Sequence, residues 1–217
     1  MLKRVFAPTL LVCALLGAGC SSIYYHAMEK IGFAKREILV DRVADAQKSQ
    51  TTAKAQFASA LEHFLAVTQT GGGDLQRKYD ELNRECTRSE DRAKKVRSRI
   101  AAVDDVADAL FHEWKQELRH YSDASLRAES QRQLDATRRR YDDLLRLMRR
   151  AADRMEPVLA TFRDQVLFLK HNLNARAIAS LDTTTRTLEA DISRLIADME
   201  VSIRESDTFI QSLKSGG

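Results

Sequence analysis

Glycine and proline are scarce in this chain, 8 and 2 among 217 residues, and Gly71, Gly72 and Gly73 stand together. So few breaks exclude a succession of many short elements and leave long uninterrupted ones, the composition of a long-helix protein. Aromatic residues make up only 6%, and much of the 44% apolar share is alanine. The expected core is a narrow seam of Leu, Ile, Val, Met and Ala, which leaves little room for a pocket that encloses a substrate. A phosphate-binding glycine loop, a Cys-x-x-Cys pair, His-Glu-x-x-His and Gly-x-Ser-x-Gly are all absent from the sequence. Most enzyme classes lose their signature there, and no catalytic residue, cofactor or resident metal is expected.

Long apolar runs are equally few. Val5 to Leu16 is apolar apart from Pro8 and Thr9, about 12 residues, where a hydrocarbon core needs about 20. Lys3 and Arg4 precede it and "GAGC" follows, the pattern of a signal peptide over residues 1–19. The stretch "LLGAGCSS" resembles a bacterial lipobox, with small Ala18 and Gly19 before Cys20 and Gly17 in the slot that most often holds Leu. That resemblance implies lipidation of Cys20, so that the membrane becomes a partner through a lipid anchor. Ser21 and Ser22 follow, with no Asp to suggest inner-membrane retention. The implied address is the inner leaflet of the outer membrane, facing the periplasm. Simple secretion, an uncleaved anchor, and a cytosolic coiled coil whose apolar start is a buried helix are the alternatives.

Cleavage before Cys20 would remove two of the 35 basic residues and none of the 31 acids, lowering the formal charge from +4 to +2. Of the three cysteines, Cys13 would leave with the signal and Cys20 would carry lipid. Cys86 then has no disulfide partner within its own chain.

What the chain does have is periodicity. Leu39, Val43, Ala46, Gln50, Ala53, Phe57, Ala60, Phe64 and Val67 recur at three and four. Leu75, Tyr79, Leu82, Cys86, Ser89, Ala93, Val96, Ile100, Val103, Ala107, Leu110, Trp114 and then Leu118 or Tyr121 repeat the pattern. "TGGGD" separates the two stripes, and Asp74 is placed to cap the second helix. "HYSDAS" at 120 to 125 offers Ser122, Asp123 and Ser125 as further caps. The third stripe runs through Leu134, Thr137, Tyr141, Leu144, Met148, Ala151, Met155, Val158 and Phe162, and it keeps its phase across Pro157, which predicts a kink and no break. After "KHNLNA" a fourth stripe comprises Ile178, Leu181, Leu188, Ile192, Leu195, Met199, Ile203, Ile210 and Leu213. The expected fold class is all-α, an elongated antiparallel bundle or coiled coil of about four helices near 22–69, 74–120, 125–172 and 176–213. They form a single domain over 20–217, and the junction at 172–176 is either a turn or continuous helix. Helices of about 45 residues are roughly 65 to 70 Å long, so the molecule should be a rod.

Four groups of residues are candidates for chemistry or contacts. Glu113, Glu117 and His120 fall on one helix face, with the Glu-x-x-His spacing of carboxylate-bridged metal bundles. Such a site needs a second Glu-x-x-His, and none of His26, His63, His112 and His171 has Glu three before it. Arg138, Arg139, Arg140, Arg146, Arg149, Arg150 and Arg154 form a basic stretch interleaved with Asp142, Asp143 and Asp153. A secreted chain meets no nucleic acid, and the interleaving reads as a solvated, salt-bridged face, with anionic lipid or a cell-wall polymer as the other reading. Cys86 occupies a seam position, as a small buried hydrophobe or a reactive thiol. Within "RDQVLFLK", Val166 and Leu169 lie near the third seam, whereas Leu167 and Phe168 point away from it. They either widen the core stripe or form an exposed patch for docking or self-association.

The stretches "MEKIGFAKREILVDRV", "EWKQELRHYSDASLRAESQRQL" and "RDQVLFLKHNLNARAIASL" resemble a proteobacterial lipoprotein family catalogued as domain of unknown function 2959. The resemblance implies a helical, coiled-coil-rich envelope lipoprotein and brings no catalytic residue, cofactor or partner. The expected function is that of a non-enzymatic envelope lipoprotein, a helical spacer, scaffold or adaptor with a protein partner or a second copy of itself. The alternative is a periplasmic metal- or redox-binding bundle using Glu113, Glu117, His120 or Cys86.

Overall fold

The computed structural model describes residues 35–69, 74–172 and 175–215, and in the last segment side chains from residue 185 onward. All of the regular structure among them is helical: α1 (Lys35–Gln69), α2 (Leu75–Glu117), α3 (Ala124–His171) and α4 (Ala175–Ser215), with a 3-10 turn at Leu118–His120 closing α2. The first helix expected from the sequence has its residues 22–34 outside the described residues.

The helix starts follow from local chemistry. Asp74 accepts the free backbone amide of Arg77 at 3.1 Å and so caps α2. Asp123 does the same for α3, accepting from the amides of Ser125 at 2.7 Å and Leu126 at 3.1 Å. These donors hold the Asp123 carboxyl below its ordinary value. Pro157 lies inside α3 and the helix runs through it. At the end of α3 the side chain of Asn172 donates to the carbonyl of Phe168 at 3.0 Å, which stops the helix there.

The four helices form a closed square in which α1 packs on α2, α2 on α3, α3 on α4 and α4 back on α1. Cross-helix pairs show that neighbours run antiparallel. Lys35 reaches Glu113 while Gln56 reaches Glu85, and Trp114 bonds Ser130 while Arg97 reaches Glu156. Gln47 donates to Asp207 while Lys54 meets Glu200. α3 ends at His171 and α4, antiparallel to it, starts at Ala175, so the two are not one continuous helix. One end of the bundle carries Lys35, the Leu118–His120 turn and Ser215, and the other carries Gln69, Leu75, His171 and Ala175. With α3 at 48 residues, the rod is about 70 Å long.

The core is one continuous column. All nine positions of the α1 stripe, from Leu39 to Val67, are buried. Phe64 meets Phe162 near one end, and Tyr141 stacks obliquely between Phe111 and Phe209 towards the other. Each fully buried Leu or Phe contributes about 1.5 to 3 kcal/mol of apolar burial, enough in sum for packing to dictate the bundle.

Candidate functional site

The end formed by the α3–α4 junction holds the clearest exposed apolar feature. Val166 and Leu169 are buried, as one turn of an amphipathic helix requires, while Leu167 and Phe168 are 57% and 43% exposed. The wider core stripe of a four-helix bundle does not reach them, because α3 already fills its second column with Leu145, Ala152 and Leu159. At the opposite end Tyr121 and Leu126 are also exposed. The seam turns inward through Leu118 there, which settles the Leu118 or Tyr121 alternative.

The residues proposed from sequence for metal chemistry are not assembled. Lys35 takes Glu113 at 2.8 Å, Glu117 ends α2, and His120 belongs to the 3-10 turn. The three therefore do not share one continuous helix face. Among the described residues no group of three or more His, Cys, Asp and Glu stands close enough to hold a metal ion. His63 is bound to Glu81 of α2.

Cys86 is buried, and burial pushes its thiol up to about 11, with Glu90 adding to the rise and Arg163 opposing it. At neutral pH it is a thiol and a poor nucleophile. Tyr141 is more strongly perturbed. Burial, the hydrogen bond it donates to Asp104 Oδ1 at 2.5 Å and that carboxylate's charge hold its phenol protonated well above the ordinary range. Asp104 in turn receives Arg149 at 2.5 Å, so the group is a structural network that joins α2 and α3.

The basic stretch of α3 resolves into ion pairs. Arg138 reaches Asp108 and Asp142, Arg146 reaches Asp143, Arg149 reaches Asp104, and Arg150 and Arg154 share Asp198 of α4. Of the seven arginines only Arg139 and Arg140 have no such pair among the described residues. Arg138 also covers the rings of Phe111 and Tyr141, its guanidinium carbon 4.9 and 5.7 Å from their centres. It thereby forms one wall of an open groove of about 610 Å³ between α2 and α3. Its charge is already shared between two carboxylates. No described helix is long and apolar enough to cross a membrane. Cys20 lies outside the described residues.

The model of the family described as protein of unknown function (DUF2959) matches residues 24–213, and the chain belongs to that family. No curated protein and no solved structure matches the chain.

Proposed function

We propose that the protein is a non-enzymatic envelope lipoprotein, held to a membrane by lipid on Cys20, whose bundle serves as a spacer, scaffold or adaptor in the periplasm. The observation that carries this reading is the shape. Four antiparallel helices make a rod of about 70 Å with an apolar pair, Leu167 and Phe168, exposed at the end away from Lys35. Cys20 precedes Lys35 in sequence, so an anchor there attaches to the end that carries Tyr121 and Leu126. The other end is then free to meet a protein partner or a second copy. "LLGAGCSS" supports the anchor, and its short apolar run supports a cleaved leader.

Metabolic labelling with a tagged palmitate tests the anchor. The wild-type protein should take up the label and sediment with membranes, and Cys20→Ala should abolish the label and release the protein into the soluble fraction. Unchanged labelling of Cys20→Ala, or an unlabelled wild type, would overturn the reading.

A further inference from the structure

The arginine stretch of α3 draws the eye in the sequence, yet its charges are mostly neutralised. Unneutralised cations lie elsewhere, brought together from two helices. Halfway along the bundle, α1 and α2 enclose a groove of about 190 Å³ lined by Lys48, Ser49, Thr52, Arg92, Lys95 and Arg99, with Asp45 at its edge. Arg92, Lys95 and Arg99 follow one another at three and four residues and so share one face of α2. Lys48 and Thr52 are one turn apart on α1. Asp45 is the sole carboxylate in this lining, and it is already divided between Arg99 at 3.5 Å and Arg42 at 3.9 Å. Lys48, Arg92 and Lys95 make no ion pair among the described residues.

A second observation comes from Ser49. It is only 7% exposed, and it lines this groove. Among the described residues its hydroxyl has no hydrogen-bond partner, whereas Thr52 donates to the carbonyl of Lys48 at 2.9 Å and Ser89 donates to that of Glu85 at 2.8 Å. The Ser49 oxygen is not sealed from water, since the buried side-chain polar atom left without a partner among the described residues is Gln50 Nε2, so the Ser49 hydroxyl opens into the groove and is free to donate to an acceptor there. The surrounding charge specifies its sign, since two lysines and two arginines facing one divided carboxylate favour an anion. Arginine forks and lysine ammonium groups together are the donor set of phosphate sites. A groove of about 190 Å³ has room for one tetrahedral oxyanion.

We propose that this groove binds a phosphate group, carried either by a soluble phosphate ester or by a lipid headgroup, with Lys48, Arg92, Lys95 and Arg99 neutralising it and Ser49 donating to one of its oxygens. The inference is independent of the anchor at Cys20, because it needs only the α1–α2 pairing.

The test uses the purified full-length protein in non-ionic detergent. One arm titrates inorganic phosphate by calorimetry, and the other measures transfer to phosphatidylcholine vesicles with and without phosphatidylglycerol. Saturable single-site binding of phosphate, or a gain in vesicle transfer that requires phosphatidylglycerol, supports the proposal; the first points to a soluble ester and the second to a headgroup. Arg92→Glu with Lys95→Glu should weaken whichever signal is seen at least tenfold. Ser49→Ala should weaken it several-fold, and Arg139→Glu with Arg140→Glu on α3 should leave it unchanged. Arg92 and Lys95 are exposed, so the helical melt should stay in place, and Lys95→Gln provides a milder version of the same test. No saturable signal in either arm, or equal losses in the α2 and α3 charge reversals, overturns the proposal.

Discussion

At position 50 the apolar seam of α1 turns polar. Gln50 is 0% exposed; its Oε1 accepts a hydrogen bond from Ser202 of α4 at 3.0 Å, and its Nε2 has no partner among the described residues. A single buried polar pair of this kind fixes which layer of α4 faces which layer of α1, at a cost in stability. Ser202→Ala should therefore destabilise the fold by about 1 to 3 kcal/mol, because it leaves Gln50 with both amide groups unpaired. Adding Gln50→Leu should recover the wild-type value or exceed it, and denaturant unfolding of the single and double variants measures both. Tyr141 sets a limit at high pH. Its raised pKa means that the fold favours the protonated phenol, so its contribution is whole below the ordinary tyrosine value near 10 and is lost as pH rises above it. Stability should fall more steeply above about pH 10 in the wild type than in Tyr141→Phe, followed by circular dichroism. Equal slopes would show that the Tyr141–Asp104 pair carries no such linkage.

Among the helices, Pro157 breaks a local rule without breaking the element. Its ring removes one backbone hydrogen bond and crowds the carbonyl of residue 153, yet α3 continues because Met155, Val158 and Leu159 around it are buried. The proline itself faces solvent. Pro157→Ala should thus raise stability by about 1 to 3 kcal/mol, and a fall in chemical stability would show that the bundle needs the proline at this position. The same helices show what was legible in sequence. The α1 stripe reads off well because its spacing is regular, all nine positions being buried, although Ile38 beside it is buried too. In α2 the reading drifts: Leu110 and Trp114 are only half-buried, and Val106 and Phe111 carry the core instead. A strict 3.5-residue repeat falls behind a straighter helix by about 20° per heptad, and after several heptads the neighbouring residue has taken the inward place. Leu145, Ala152, Leu159 and Phe209 were missed for another reason, since a helix touching two neighbours buries two columns and a single seam describes one. The boundary at Glu117 was less readable still, because the 3-10 turn keeps the helical spacing of Leu118 while ending the α-helix.

For the molecule as a whole, fold and surface chemistry differed in how far they could be read. Antiparallel order and rod shape follow from periodicity and the breaks at "TGGGD", "HYSDAS" and "KHNLNA", which are local in sequence, although the last left a turn and a continuous helix both open. Ion pairing is not local. The arginines of α3 find Asp104 and Asp108 on α2 and Asp198 on α4, whereas Lys48 and Lys95, inconspicuous in sequence, are left facing a groove. The exposed pair at Leu167 and Phe168 was visible as two apolar residues off the seam, but whether a neighbour covers them is settled only by the packing of the other helices. In the proposed account the rod separates two ends with different tasks, membrane attachment near Tyr121 and Leu126 and contact at Leu167 and Phe168. The most direct measurement places a photoreactive residue at position 168, at position 126 or at the mid-rod position 139, and illuminates living cells. The account predicts a discrete adduct at 168, either to an envelope protein or to a second copy, that does not form at 126 or 139. The same adducts at both ends, or capture at 168 no stronger than at 139, would contradict it.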